Sequence, residues 1–311
     1  MIPYIRSVIQ LTKIAHYFHN GQYALGLIQS GLVYNVAHGA KGFDSELESS
    51  KSLDEVLSKG LLDKLKSMEA RIVENDEGSP TASLKLASPI LFPEKILCVA
   101  VNYRAHGSEQ EMKPPPEPYF FTKFRNTLIG AGETILIPKI SNKVDWEVEL
   151  AAVIGRKGKY IPRNEAHSYI AGYTISNDIS FRDYQFPLGY PEKLNPLGMN
   201  WVKGKGMDAA FPLGPWVVTA DEIEDPYSLD ISLSVNGKMK QHASTCDLIF
   251  KIDSLVEYIS SGITLLPGDI ISTGTPSGVA AFTDQQYLRD GDVIEASISK
   301  IGTLRNPVIA E

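Results

Sequence analysis

Residues 145–155, with the sequence DWEVELAAVIG, alternate between polar and apolar side chains in the way a β-strand does. Because side chains two positions apart on a strand share a face, Glu147 and Glu149 point one way and the apolar residues between them point the other. Burying two adjacent carboxylates without compensation would cost several kcal/mol. The strand therefore needs a bound cation or a pair of Arg or Lys partners, unless it is a solvent-facing strand with two surface acids.

A third carboxylate follows at the end of another predicted strand. Residues 171–178 read as a strand that finishes at Asp178. Glu147, Glu149 and Asp178 together form an all-oxygen ligand set, which suits the hard cations Mg²⁺, Mn²⁺ and Ca²⁺. Zinc is disfavoured because no His or Cys lies nearby in the sequence.

The chain has 311 residues, enough for one large domain or two unequal ones. We predict a small N-terminal α+β domain at residues 1–88 and a mainly β catalytic domain at residues 89–311. The dipeptide Asn20-Gly21 is a strong hairpin signal, and residues 45–75 have helical periodicity. We expect His16 and His19, which flank the hairpin turn, to be exposed rather than to bind a metal.

From residue 93 onward the chain consists of short β segments separated by Gly and Pro, with few helices. This texture is typical of a mostly antiparallel, rolled β structure. One amphipathic helix is predicted over residues 248–263.

Composition and charge exclude several classes of function. A net charge of −7 and a pI near 5.5 argue against a nucleic-acid partner, and an anionic substrate would need local positive charge at its site. No segment approaches the roughly 20 apolar residues of a membrane span. Arg6 and Gln10 interrupt the apolar start of the chain, which predicts a cytoplasmic protein without a signal peptide. Of the two cysteines, we expect Cys98 to be a buried free thiol.

His106 and Glu109 follow the apolar run 96–101. If a helical turn begins there, the two side chains lie one turn apart and face each other. A carboxylate beside an imidazole fixes its tautomer and raises its basicity, as a water-activating base requires. The alternative is an ordinary surface contact.

Arg182 and Gln185 lie just beyond Asp178. Arg182 either balances the charge of the acids or holds a substrate carboxylate in a bidentate manner, and Gln185 is an uncharged orienting group. The Pro- and Gly-rich stretch 186–200 is either an active-site lid or a passive surface loop.

Two further segments have site-like chemistry. The run 202–208 sets lysine between glycines, which suits an anion site or an exposed basic turn. Residues 272–278 follow a strand, and their hydroxyl and backbone N–H groups are able to receive a carboxylate; read otherwise, they form a tight turn. Without Walker spacing or its lysine, this segment does not bind nucleotides.

Taken together, these segments resemble the fumarylacetoacetate hydrolase family from about residue 90 to the C-terminus. The matching segments are Asn102-Tyr103-x-x-His106-x-x-Glu109, Asp145-Trp146-Glu147-Val148-Glu149-Leu150, Asn177-Asp178-x-Ser180-x-Arg182-Asp183-x-Gln185, Lys205-Gly206-Met207-Asp208, Val235-Asn236-Gly237 and Thr273-Gly274-Thr275-Pro276. The resemblance implies the family's rolled mixed β-sheet fold, usually as a homodimer, behind a variable N-terminal domain. The segment from Pro187 to Asn200 is longer than in the commonest members and leaves the substrate's size and identity open.

The resemblance also assigns roles to residues. It implies that Glu147, Glu149 and Asp178 hold Mg²⁺ or Mn²⁺, with Ca²⁺ as a further option. It implies that His106 and Glu109 are the water-activating pair and that Lys205, rather than Lys203, is the active-site lysine. Substrate-binding positions implied in the same way are Arg182, Gln185 and Thr275.

The reaction implied is metal-dependent C–C hydrolysis of an acylpyruvate-type 2-oxo acid, in which the metal and Lys205 stabilise a pyruvate enolate. Isomerisation of hydroxy-diene dioates and decarboxylation of oxaloacetate use the same enolate and remain alternatives. A catalytically silent ligand-binding protein is the alternative outside enzymology, but the complete set of acids, base and lysine argues against it.

Overall fold

The computed structural model describes residues 12–19, 21–109, 115–185 and 200–311, without the side chains of residues 108 and 109. Within these residues, no helix is both long enough and apolar enough to cross a membrane.

The N-terminal part is a small meander of strands covered by short helices. Its strands are β1 (Lys13–His19), β2 (Gln22–Gln29), β3 (Leu32–Asn35), β4 (Ser79–Pro80) and β5 (Leu86–Ala87), and its helices are α1 (Val36–Gly39), α2 (Ser45–Ser49), α3 (Leu53–Ser58), α4 (Leu62–Ser67) and α5 (Glu69–Glu74). The predicted hairpin is confirmed, because His19 pairs with Gln22 across the turn; Asn20 itself lies outside the described residues. The predicted helical texture of residues 45–75 is confirmed as well.

His16 corrects the expectation that the histidines beside the hairpin are exposed. Its side chain is fully buried, whereas His19 is exposed. His16 Nε2 accepts a hydrogen bond from Leu53 N at the start of α3, so its Nδ1–H donates to Ser88 O, 3.0 Å away. The imidazole therefore joins β1 to α3 and to the segment that contains Ser88, neither of which is near it in sequence.

The remainder of the chain is rich in short strands. The strands are β6 (Ile96–Ala100), β7 (Tyr119–Lys123), β8 (Leu128–Ile129), β9 (Ile135–Ile137), β10 (Val144–Asp145), β11 (Val148–Ile154), β12 (Ile170–Asn177), β13 (Ser180–Phe181), β14 (Phe211–Thr219), β15 (Asp230–Val235), β16 (Lys238–Ser244), β17 (Ile270–Ser272), β18 (Val293–Ile298) and β19 (Gly302–Ala310). The helices are α6 (Arg104–Glu109), α7 (Arg182–Gln185), α8 (Trp201–Lys205) and α9 (Ile252–Ser260). Helix α9 is shorter than predicted and stops before Gly262, whose φ of +103° does not continue a helix.

Two sheets and a short ribbon organise these strands. The larger sheet runs in the order β4-β3-β2-β1-β14-β12-β11-β17-β6-β7, and the second runs β16-β15-β18-β19-β9. The short ribbon pairs β10 with β13. Most pairs are antiparallel; β17 with β6, β14 with β8 and β19 with β9 are parallel. The mostly antiparallel architecture predicted from the sequence is therefore confirmed.

One of the buried apolar clusters joins the inner faces of the two sheets. Leu150 and Tyr173 from the larger sheet belong to the same buried cluster as Leu233 and Ala296 from the second sheet. The larger sheet also crosses from the N-terminal part into the rest of the chain, since β1 pairs with β14. The domain boundary at residue 88 stays a prediction.

Candidate metal centre and active site

The three predicted acids converge at one end of the β11–β12 pair. Glu147 immediately precedes β11 and Asp178 immediately follows β12, and the register places Val148 opposite Asn177. Asp178 N donates to Glu147 O across this end of the pair. One oxygen from each of Glu147, Glu149 and Asp178 lies within 4.8 Å of the others. All three are buried, at 6%, 1% and 1% exposure, so the solvent-facing alternative does not hold.

Three buried cations surround these acids. Lys205 Nζ lies 2.7 Å from Glu147 Oε2 and 2.8 Å from Asp178 Oδ2. Lys123 Nζ donates to Asp178 Oδ1 over 2.6 Å, and Arg182 Nη2 donates to Glu147 Oε1 over 2.6 Å. These contacts offset much of the cost of burying the carboxylates.

The cations change the pKa values of their partners. Burial alone would raise the pKa of Glu147, but the charges of Lys205 and Arg182 hold it well below its usual value. Burial alone would lower the pKa of Lys205, but the carboxylates of Asp178 and Glu147 raise it. Lys205 is therefore a charged ammonium at neutral pH.

Glu149 is held differently, by uncharged donors. Its Oε2 accepts hydrogen bonds from Ser272 Oγ and from Gly274 N. Burial, followed by the carboxylates of Asp178 and Glu147, raises the pKa of Glu149 well above its usual value. A positive ion beside Glu149 would remove this penalty on its charged form.

The donor set fits a hard divalent cation. The buried ion pairs match Lys123, Arg182 and Lys205 to Asp145, Glu147 and Asp178, whereas Glu149 is held by the uncharged donors Ser272 and Gly274. The candidate ligands are all carboxylate oxygens, as Mg²⁺, Mn²⁺ and Ca²⁺ require. The buried triad is thus consistent with a divalent metal site.

His106 lies in α6, the helix that directly follows β6. Its side chain is buried, and its ring meets the ring of Phe282 edge-on with centroids 6.1 Å apart. The guanidinium carbon of Arg182, which holds Glu147, lies 5.9 Å from the centroid of the same Phe282 ring, so this ring links the imidazole to the cluster. The side chain of Glu109 lies outside the described residues, so the predicted pairing with His106 stays a prediction.

Arg182 makes the contacts expected of a charge-balancing residue. Its Nε donates to Asp145 Oδ2 over 2.8 Å and its Nη1 donates to Gln185 Oε1 over 2.8 Å, in addition to the bond with Glu147. Gln185 is thereby held beside the acids. Substrate binding by Arg182 and Gln185 stays a prediction, and so does the role of residues 187–200, of which 187–199 lie outside the described residues.

The segment that follows β17 receives a carboxylate, as its sequence suggested, and that carboxylate is the protein's own Glu149. Thr275 completes the turn: its Oγ1 donates to Val148 O and accepts from Gln241 Nε2. Thr275 is 4% exposed, and its predicted contact with a substrate stays a prediction.

Lys205 reaches the acids because α8 lies very close to α7. A Cβ added at Gly204 would come within 2.8 Å of Gln185 Cα, so only glycine allows this approach. Lys203, on the same short helix, is exposed. Lys205 is thus the lysine of this helix that contacts the acids, and its role as the active-site lysine stays a prediction.

Sequence reasoning missed Lys123 and Asp145. Asp145 lies two positions before Glu147 in the alternating run, so it is expected on the same face of the strand as Glu147 and Glu149. This spacing could have identified Asp145 from the sequence. Lys123 ends β7, and no pattern in the sequence around it indicates that its ammonium is fully buried against Asp178.

Comparison with known proteins gives consistent similarities. Residues 95–309 match the family model described as fumarylacetoacetate (FAA) hydrolase, C-terminal. A mitochondrial oxaloacetate tautomerase of Bos taurus is 39% identical over 231 residues, which covers 74% of this chain and 71% of that protein.

Two solved structures are similar over nearly the whole chain. A 2-hydroxyhepta-2,4-diene-1,7-dioate isomerase from Mycobacterium marinum is 31% identical with a TM-score of 0.71, covering 96% of this chain and 99% of that one. Maleylpyruvate hydrolase from Sphingobium sp. SYK-6, in complex with manganese(II) and pyruvate, is 27% identical with a TM-score of 0.75, over the same shares of both chains.

Proposed function

Because the chain belongs to the fumarylacetoacetate hydrolase family, we propose that it is a divalent-metal-dependent hydrolase of acylpyruvate-type 2,4-dioxo acids. The observation that carries the proposal is one buried cluster in which Lys205 contacts Glu147 and Asp178 of the acidic triad, with His106 linked to the cluster through the ring of Phe282. These groups supply a cation site, an anion-stabilising ammonium and a base. A silent binding protein has no need to keep all three together.

The reaction begins with placement of the 2-oxo acid. A divalent ion held by Glu147, Glu149 and Asp178 would act as a Lewis acid on the oxygens of the 2-oxo carboxylate. The ammonium of Lys205 adds positive charge on the same side of the acids. Together these charges provide the local attraction that an anionic substrate needs in a chain of net charge −7.

His106 then acts as the general base. It removes a proton from a water molecule, and the resulting hydroxide attacks the distal carbonyl carbon of the substrate. The bond between that carbonyl carbon and the adjacent methylene breaks, and its electron pair passes to the pyruvate part as an enolate. Lys205 stabilises the negative charge of the enolate, which takes a proton to give pyruvate; the other product is a carboxylic acid.

A second candidate reaction is tautomerisation, isomerisation or decarboxylation of a related 2-oxo acid. The observation that favours it is the similarity to the Bos taurus protein named oxaloacetate tautomerase and to the Mycobacterium marinum isomerase. These reactions also need enolate stabilisation by Lys205, but no attacking water. Decarboxylation therefore does not require the water activation assigned to His106, and this difference separates the candidates.

We propose Mg²⁺ or Mn²⁺ as the cofactor and a small 2-oxo acid as the substrate. The manganese and pyruvate bound by maleylpyruvate hydrolase support both choices. A homodimeric state, a cytoplasmic location and the absence of a nucleic-acid partner remain predictions from the sequence.

The proposal is tested by incubating the purified protein with acetylpyruvate and measuring pyruvate release with a coupled lactate dehydrogenase assay. We expect activity with Mg²⁺ or Mn²⁺ and none after EDTA treatment, with recovery when the metal is restored. Oxaloacetate, in its enol and keto forms, and a hydroxy-diene dioate are assayed in parallel. Turnover of oxaloacetate alone would favour the second candidate, and no metal-dependent turnover of any of these acids would contradict both.

A further inference from the structure

Each of the three candidate metal ligands has one carboxylate oxygen held by its own donor. Lys123 Nζ holds Asp178 Oδ1, and Arg182 Nη2 holds Glu147 Oε1. Glu149 is held in the same way, through its Oε2, by Ser272 Oγ and Gly274 N. The donors come from three separate segments of the chain.

The other oxygens of these carboxylates form a second set. Glu147 Oε2 and Asp178 Oδ2 both contact Lys205 Nζ, at 2.7 and 2.8 Å. Glu149 Oε1 is the oxygen that neither Ser272 nor Gly274 contacts. The donors Lys123, Arg182, Ser272 and Gly274 thus occupy one oxygen of each carboxylate, which leaves the other oxygen of each to coordinate an ion.

Coordination through single oxygens affects which metal ion the site prefers. Mg²⁺ requires near-octahedral geometry with short bonds and is bound by single carboxylate oxygens, whereas Ca²⁺ takes six to eight ligands and commonly uses bidentate carboxylates. A carboxylate whose outer oxygen is fixed by a buried ammonium or guanidinium cannot turn to offer both oxygens. Two such carboxylates, Asp178 and Glu147, together with Glu149 held by Ser272 and Gly274, favour the small octahedral ion.

We infer that Lys123 is a positioning residue that keeps Asp178 monodentate and thereby selects Mg²⁺ or Mn²⁺ over Ca²⁺. Lys123 is suited to this task because it is 4% exposed and its ammonium is fixed a second time, by Ile179 O at 2.9 Å. The ammonium also lies over the ring of Phe211, 5.7 Å from the ring centroid, and this contact further restricts the side chain. The inference rests on the proposed metal site, but it does not depend on which reaction the site performs.

Lys205 is predicted to act differently, because it touches the inward oxygens. A divalent ion has to share Glu147 Oε2 and Asp178 Oδ2 with its ammonium, so Lys205 weakens the binding of every divalent ion alike. Lys123 is expected to change the ratio of the Mg²⁺ affinity to the Ca²⁺ affinity. Lys205 is expected to change the affinities of all divalent ions by a similar factor. This difference makes the two lysines informative as a pair.

The experiment measures Mg²⁺, Mn²⁺ and Ca²⁺ affinities by calorimetry on the full chain, without substrate. For Lys123→Met we expect the Mg²⁺-to-Ca²⁺ affinity ratio to fall by about tenfold, the lower end of the effect of losing an outer-sphere partner. Lys205→Met is expected to tighten all three ions by a similar factor and to leave the ratio unchanged. Lys203→Met, on the exposed face of the same helix, is the control and should match the parent protein.

Circular dichroism establishes that each variant is folded before its affinities are compared. If Lys123→Met does not fold, Ser272→Ala makes the same test at Glu149, where Gly274 N remains as the second donor, and a smaller fall in the ratio is expected. An unchanged ratio in the folded variant would overturn the inference while leaving the proposed function intact. Absence of divalent-ion binding by the parent protein would overturn both.

Discussion

Arg182 Nε donates a hydrogen bond to Asp145 Oδ2 over 2.8 Å, and both side chains are buried. Asp145 receives further donors from Ala280 N and Ala281 N at 2.8 and 3.0 Å. Arg182 is thus anchored to a carboxylate that is not a metal-ligand candidate, while its Nη2 holds Glu147. Burial alone would lower the pKa of Arg182, but Asp145 and Glu147 raise it, so this guanidinium stays charged.

We predict that Asp145→Asn destabilises the protein by about 3–5 kcal/mol, because it leaves a buried guanidinium without one of its two carboxylates. The measurement is the free energy of unfolding from urea denaturation. Asp183→Asn is the matched control, since Asp183 is a neighbouring, half-buried carboxylate bonded only to Ser141 and Asn142 among the described contacts. Equal decreases in the free energy of unfolding of the two variants would show that the Asp145–Arg182 pair contributes no more to stability than the contacts of Asp183.

Replacement of His106 separates hydrolysis from decarboxylation. For His106→Ala we expect hydrolysis of acetylpyruvate to fall by about 10²–10⁴-fold, the usual contribution of a general base. Decarboxylation of oxaloacetate, which requires no attacking water, is expected to persist. The assays are pyruvate release and the loss of oxaloacetate absorbance, both at saturating Mg²⁺. Full hydrolase activity in the variant would refute the role given to this histidine.

The metal-ligand candidates were predictable from sequence because their signals are local. Alternation fixes the face shared by Glu147 and Glu149, and a strand end places Asp178 at the same edge of the sheet. The family resemblance supplied the same residues independently.

The partners of these acids were not predictable in the same way. Lys123 meets Asp178 across 55 positions of sequence, and a lysine at the end of a short strand is ordinarily exposed. His16 was misjudged for a related reason, because its burial depends on α3 and on the segment that contains Ser88, both of which contact it from distant positions in the sequence. Tertiary contacts between distant segments decided both cases.

Glu149 is a metal-ligand candidate whose negative charge is unfavourable in the folded protein when no ion is bound. Its charge is opposed by burial and by Asp178 and Glu147, which raise its pKa. We therefore expect Glu149→Gln to raise the melting temperature measured in EDTA, since the amide keeps an acceptor for Ser272 and Gly274 and removes the repulsion. Mg²⁺ affinity from calorimetry should fall by at least about tenfold. A variant that retains the parent affinity would show that Glu149 is not a ligand.

His16 predicts a pH dependence of stability. Burial lowers the pKa of His16 below its ordinary value of 6.5, although Ser88 O and the charge of Asp54 act in the opposite direction. The native state therefore holds His16 neutral, with Nε2 accepting from Leu53 N, whereas the unfolded chain binds a proton below pH 6.5. Its contribution to stability is complete above pH 6.5 and is lost as the pH falls toward the native pKa, with a slope of at most about 1.4 kcal/mol per pH unit.

The check is a series of urea denaturations between pH 5 and pH 8 (about the range where His titrates) on the parent protein and on His16→Gln. The glutamine side chain of this variant retains an oxygen acceptor for Leu53 N but does not titrate, so the variant's profile should be flatter below pH 6.5. Parallel profiles for the two proteins would mean that other groups determine the acid sensitivity.

The close approach of α8 to α7 gives a prediction about Lys205 that does not alter the lysine itself. A Cβ at Gly204 would lie 2.8 Å from both Cα and Cβ of Gln185 and 2.9 Å from its N, so Gly204→Ala forces the two helices apart. Lys205 moves with α8 and loses its placement against Glu147 and Asp178. A displacement of this kind costs up to about 100-fold in rate, while overpacking costs about 1–3 kcal/mol in stability.

We expect kcat of Gly204→Ala to fall much more than KM rises, because Lys205 acts mainly on the charge that develops during the reaction. Lys203→Ala, on the exposed side of the same helix, is the control for changes in helix propensity and should keep the parent kcat. If Gly204→Ala also kept it, the precise position of Lys205 would not matter for catalysis.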